Sequence, residues 1–123
     1  MVAYGTDTDP LQARVGYYTE IAGLGASPED VDITGKLEVY NRCLADGGTG
    51  NCLALVNFWR TISNLSLHVN SLGQDGCRSS ANFWAVSQAA PMRRVHVQGQ
   101  TTLMDYCSNP SFASGGFIAD SQF

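Results

Sequence analysis

Three stretches of the chain alternate apolar and polar residues in the same way, and they recur about every thirty residues. They are Val31-Asp32-Ile33, Leu65-Ser66-Leu67-His68-Val69 and Val95-His96-Val97. Alternation of this kind marks a half-buried strand, with one set of side chains inside and the other facing water. Recurrence at an interval of tens of residues marks stacked units, none of which buries its apolar face alone. No segment sustains a 3.6-residue apolar period. The strands do not alternate with long helical segments either, which argues against a doubly wound sheet. Asp46-Gly47 and Asp75-Gly76 sit inside longer loops and not in two-residue hairpin turns. That favours a parallel β-helix over an antiparallel sandwich or barrel.

Further strands are expected over 14–24, 36–40, 53–60, 82–87 and 101–106, with the alternating stretches extended to 31–34, 63–70 and 92–98. Loops are expected over 46–50, 71–80 and 108–116. Pro28-Glu29-Asp30 suits one helical turn, with Ser27 as N-cap. Residues 1–12 read as a poorly ordered lead-in, and 13–123 as a single domain. The polar, acidic start has no apolar signal-peptide core. Gly116 to Phe123 looks like a strand just entering the fold, so the chain is expected to be a piece of a longer one.

The 44% hydrophobic and 15% charged residues fit a folded protein and not a disordered one. Net charge is -4, and Arg93-Arg94 is the one basic pair, so no nucleic-acid footprint is expected. No apolar run has the length of a membrane span. Cys43, Cys52, Cys77 and Cys107 form no C-x-x-C pair, which favours an oxidised, secreted protein over a zinc site. Of the three possible pairings, Cys43 with Cys52 closes a short polar loop and leaves Cys77 with Cys107. Four free thiols are the alternative.

Asn57-Phe58-Trp59 and Asn82-Phe83-Trp84 are the same tripeptide, each ahead of an alternating stretch. They read as corners of successive coils. Ile21-Ala22-Gly23-Leu24-Gly25 followed by Val31-Asp32-Ile33-Thr34-Gly35 resembles an early coil of the pectin-lyase-like right-handed parallel β-helix superfamily. The stretches 57–65 and 83–97 resemble large secreted members near the glycoside hydrolase family 55 β-1,3-glucanases. Some of those relatives are labelled coagulation factor 5/8 type, after an attached discoidin-like module. The resemblance implies an all-β, right-handed parallel β-helix of about four coils, truncated, from a secreted polysaccharide-active protein. It implies further β-helix coils of the parent as neighbours, polysaccharide as ligand, and a β-glucanase-like glycoside hydrolase as parent. A non-catalytic carbohydrate-binding or adhesin β-helix is the alternative. No cofactor is expected.

Glycoside hydrolysis needs two carboxyl groups flanking the scissile bond. Asp120 ranks first, because it interrupts the apolar run Phe117-Ile118-Ala119, followed by Asp105 and Asp32. The competing reading of each is a plain solvent-facing residue of an alternating strand. Arg93 and Arg94 are candidates for substrate contact or lyase-type base chemistry, against a plain surface ion pair. Trp59 and Trp84, with Tyr17, Tyr18 and Tyr106, are candidates for stacking on sugar rings, against a role in the core. His68 and His96 are expected on one outward face, without a metal. Asn57, Asn64 and Asn82 suit an inward asparagine ladder that satisfies backbone groups. Asn64-Leu65-Ser66 is a glycosylation sequon, meaningful in a eukaryotic secretory pathway.

Overall fold

The computed structural model describes residues 1–45, 50–73 and 75–123. Among these there is no α-helix. The strands are β1 (Val2–Tyr4), β2 (Leu11–Arg14), β3 (Thr19–Ala22), β4 (Val31–Glu38), β5 (Arg42–Ala45), β6 (Gly50–Leu53), β7 (Arg60–Val69), β8 (Asn82–Phe83), β9 (Pro91–Gln98), β10 (Thr101–Thr102) and β11 (Phe117–Ala119). The fold is all-β and mostly parallel. The main sheet runs β1-β4-β7-β9-β11, with β2 also on β4 and β3 also on β7. β8 and β10 form a second parallel pair, and β5 with β6 forms an antiparallel hairpin.

Register follows the alternating stretches. Asp32 lies beside Ser66, which lies beside His96, while Ile33 pairs with Leu67 and Leu67 with Val97. Ile33, Leu65, Leu67, Val95 and Val97 are core residues. Each apolar side chain withdrawn from water in this way contributes about 1.5–3 kcal/mol. Val95-His96-Val97 therefore stacks on Leu65-Ser66-Leu67, and not on Leu67-His68-Val69.

The sheet bends at columns of left-handed backbone. Tyr18, Trp59 and Ala89 have φ of 56°, 58° and 55°. They occupy equivalent positions, linked by bonds from Tyr18 N–H to the Trp59 carbonyl and from Arg60 N–H to the Ala89 carbonyl. Five residues further along are Asn64, Arg94 and Asp120, with φ of 57°, 53° and 51°, which the strand registers also align. Gly23 lies beside Asn64, and a Cβ there would overlap the Asn64 carbonyl. Asn64 Nδ2 donates to the carbonyls of Gly23 and Gly25 at 2.9 and 2.8 Å. Between the two columns lie four-residue segments, 19–22, 60–63, 90–93 and 116–119. Ile21, Ile62, Met92 and Ile118 align across them.

Gly35 explains why β4 is one strand where two were expected. Its φ is 149°, and a Cβ would overlap the Leu11 carbonyl, so the strand passes through without interruption. The stretch 1–12, expected as a lead-in, contains β1 and the start of β2, both paired with β4. The expected strand 53–60 is largely loop, and 101–106 contains only the two-residue β10. The expected loop at 46–50 falls on residues outside the description, apart from Gly50.

Around the end of β4 the structure relies on buried polar groups. Lys36 is fully buried, 2.7 Å from Asp75 and 3.1 Å from Glu38. The Arg14 and Arg78 guanidiniums each lie 4.1 Å from the centre of the Tyr40 ring. Cys43 is bonded to Cys52, which faces it across the hairpin, and Cys77 is bonded to Cys107.

Candidate functional site

The inward placement of Ile33, Leu65, Leu67, Val95 and Val97 forces their neighbours outward, because successive strand residues face opposite sides. Asp32, Ser66 and His96 consequently form one row across β4, β7 and β9, which Gln122 continues. Thr34, His68 and Gln98 form the next row. The two imidazoles are diagonal neighbours, and each meets a carboxylate. His68 Nε2 lies 2.7 Å from Asp32 Oδ1, which has no other hydrogen-bond partner among the described residues. His96 Nδ1 lies 2.5 Å from Glu29 Oε1.

Glu29 reaches the face from the short 3-10 turn Pro28–Asp30, which Asp30 closes by accepting from Ser27 N–H at 3.1 Å. Ser66 Oγ donates to the Pro28 carbonyl at 3.1 Å and so fixes that turn against the sheet. A hydrogen bond from its own backbone N–H, more than the facing His96, holds Glu29 below the usual carboxylate range. These side chains, with Gln98 and Gln122, line a cleft of about 600 Å³. Its carboxylates, imidazoles and amides are the donors and acceptors that a polyhydroxylated ligand would engage. Among the described residues, no three His, Cys, Asp or Glu side chains are placed to share a metal ion.

Of the three carboxylates singled out in the sequence, Asp32 lines this cleft, whereas Asp105 and Asp120 lie elsewhere. Asp105 is fully buried. It accepts from Arg78 Nε and Nη2 at 3.1 and 2.7 Å, and from the backbone N–H groups of Asn41 and Cys107 at 3.0 and 3.2 Å. With its oxygens occupied and no exposed surface, this carboxylate joins three loops and offers nothing to a sugar. Asp120 is exposed at a left-handed corner, a conformation that Asp adopts more readily than most residues. Neither lines the cleft.

Trp84 is 1% exposed and belongs to the core. Its indole N–H donates to the Ala90 carbonyl at 3.4 Å, so no face remains for a ligand. Trp59, by contrast, is 48% exposed and stacks on Tyr18. Arg93 and Arg94 are exposed, and Arg94 Nη2 donates to the Ala26 carbonyl at 3.2 Å. Trp59 and Arg93 come together only indirectly, through the hollows on either side of Ala89 and Pro91. Glu29 was missed in the sequence, where it reads as part of a turn with no mark of the face it serves.

No protein-family model matches the chain, and no solved structure matches it. Among curated proteins, the chain is 43% identical over 119 residues to an exo-beta-1,3-glucanase of Streptomyces sp. (strain SirexAA-E / ActE). The match takes in 96% of this chain and 17% of the glucanase. The chain thus spans about a sixth of the length of the curated relative it matches.

Proposed function

We propose that the chain forms the early coils of a right-handed parallel β-helix in a secreted, glucanase-like glycoside hydrolase. The observation that carries this reading is the 43% identity, sustained over nearly the whole chain, to part of an exo-beta-1,3-glucanase. The fold supports it. Segments 19–22, 60–63 and 90–93 stack in parallel register between left-handed corners, as one circuit of chain after another would. Parallel crossovers are right-handed in about 98% of cases, which supplies the hand. Two disulfides suit an oxidising compartment.

On this reading the chain supplies scaffold and glycan contact, and the catalytic carboxyl pair belongs to later coils of the parent. Asp105 serves the loops around β8 and β10, and Asp120 shapes a corner. The cleft of Glu29, Asp32, His68 and His96 would meet sugar hydroxyls.

Release of glucose from linear β-1,3-glucan by the full gene product tests the proposal, with β-1,4-glucan as control. Glucose release from the β-1,3-glucan is expected. Binding of that glucan without turnover would favour a non-catalytic carbohydrate-binding protein and overturn the hydrolase reading.

A further inference from the structure

The geometry points to a second glycan site, on the face between the two corner columns: a stacking shelf for β-linked glucan built by Tyr18 and Trp59. It rests on the glucanase-like reading only for the choice of sugar. The two rings lie 5.1 Å apart at 27°, stacked across neighbouring strands. Trp59 is braced edge-on by Phe58 at 4.9 Å. Tyr18 is 79% exposed and Trp59 48%, so much of both rings is left to solvent.

Both residues sit in left-handed backbone, which bulky L-residues adopt at a cost in free energy. The same corner is made by Ala89 and, further along the sheet, by Gly115, so the turn does not require aromatics. Stacking between the rings returns part of that cost. The exposed remainder has no use within the described fold. Trp59 cannot be explained as core either, because the tryptophan of the matching tripeptide, Trp84, is the one that fills the core.

The surroundings of the shelf select the ligand. A hollow of about 300 Å³ runs along the rings, bordered by Glu20, Thr61, Ala89 and Pro91. It continues past Ala89 and Pro91 into a second hollow bordered by Arg93 and Phe117. Flat rings flanked by a carboxylate, a hydroxyl and a guanidinium match a pyranose, which has an apolar C–H face and a rim of hydroxyls. Ala89, where a third ring would stand, leaves space beside Trp59. A glucan chain would lie across the strands, touching Trp59 and reaching toward Arg93.

The 123-residue chain itself can be tested. Isothermal titration calorimetry with laminarihexaose, a soluble β-1,3-linked hexasaccharide, reads binding by the wild-type chain and both variants, and in the wild-type chain the sugar should also protect the Trp59 emission from acrylamide. Trp59→Ala should weaken binding at least about tenfold, while Trp59→Phe retains most of it. Both variants should still unfold cooperatively, with Trp59→Phe close to the wild-type chain and Trp59→Ala lowered only by the lost ring contacts. Absence of binding by the wild-type chain, or binding unchanged in Trp59→Ala, would overturn the proposal; the latter would place the sugar in the Asp32–His68 cleft. Hydrolysis by the full gene product reports separately on the glucanase-like reading. A product with no β-1,3-glucanase activity would refute that reading and leave the shelf to stand or fall on the titration.

Discussion

The side chain of Asn82 replaces a strand neighbour for Leu37. Its Oδ1 accepts from the Leu37 N–H at 2.8 Å, and its Nδ2 donates to the Leu37 carbonyl at 2.9 Å. Asn82 is fully buried, so no water can substitute. Asn82→Ala should destabilise the chain by about 2–4 kcal/mol, since each orphaned buried group costs about 1–3 kcal/mol. Urea denaturation checks this. A loss below about 0.5 kcal/mol would mean that the backbone finds other partners.

Arg94 holds φ of 53° on an exposed corner, with one hydrogen bond to a backbone carbonyl. Glycine carries no Cβ penalty there, whereas an arginine pays about 1–2 kcal/mol. Arg94→Gly should therefore leave stability unchanged or raise it by up to about 1 kcal/mol, the loss of one exposed bond and added chain entropy being offset. A fall of more than about 1 kcal/mol, read from the same denaturation curve, would show that the Ala26 contact dominates.

The two disulfides should differ in weight. Cys77 and Cys107 are 30 residues apart and Cys43 and Cys52 are 9 apart. Loop-closure entropy gives about 3.5 kcal/mol for the longer loop and about 2.5 kcal/mol for the shorter. Replacing each pair by alanines should reproduce that order in chemical denaturation. The reverse order would mean that residual structure in the unfolded chain outweighs loop length.

Glu38 is pulled in two directions. Burial pushes its carboxyl above the usual range, while the Phe83 N–H and the Lys36 ammonium pull it down, and burial wins. A group whose folded pKa is raised adds stability as pH falls through that folded value, and the gain is complete below the unfolded value of about 4.5. Acidification toward pH 4.5 should thus favour the wild-type chain over Glu38→Gln, the difference growing as pH falls from neutrality. A difference that shrinks over that window would show that the Lys36 ion pair governs the carboxylate.

Much of the sheet was legible because alternation encodes which side chains go inside. Val31-Asp32-Ile33, Leu65-Ser66-Leu67 and Val95-His96-Val97 do stack in register. The Asn-Phe-Trp repeat was misleading. Register places Ala89, not Trp84, in line with Trp59, because backbone bonds between left-handed corners set the stacking and a shared tripeptide does not. Nothing in Tyr18, Trp59, Ala89 or Arg94 announces left-handed backbone, which sequence patterns associate with Gly, Asn and Asp. The outward histidines were legible, and their separate carboxylates were not, since Glu29 arrives from a turn. The sequence puts Asp105 on an expected strand over 101–106, whereas its burial depends on Arg78 and Asn41, 27 and 64 residues away.

With Trp84 in the core and Trp59 half exposed, the two tryptophans should behave oppositely in solution. Trp84 should emit at short wavelength and resist acrylamide, whereas Trp59 should be quenched freely. In Trp59→Phe only the protected emission should survive. Free quenching in that variant would contradict the core placement of Trp84.

The proposed role as the early coils of a glucanase-like enzyme is tested most directly by exchange. The 119 matched residues can replace their counterpart in the Streptomyces exo-beta-1,3-glucanase, and glucose release from β-1,3-glucan can then be measured. Cooperative unfolding and a rate within about tenfold of the parent, equivalent to about 1.4 kcal/mol in the barrier, are predicted. An exchanged enzyme that folds but releases no glucose, or that does not fold at all, would contradict the proposed role.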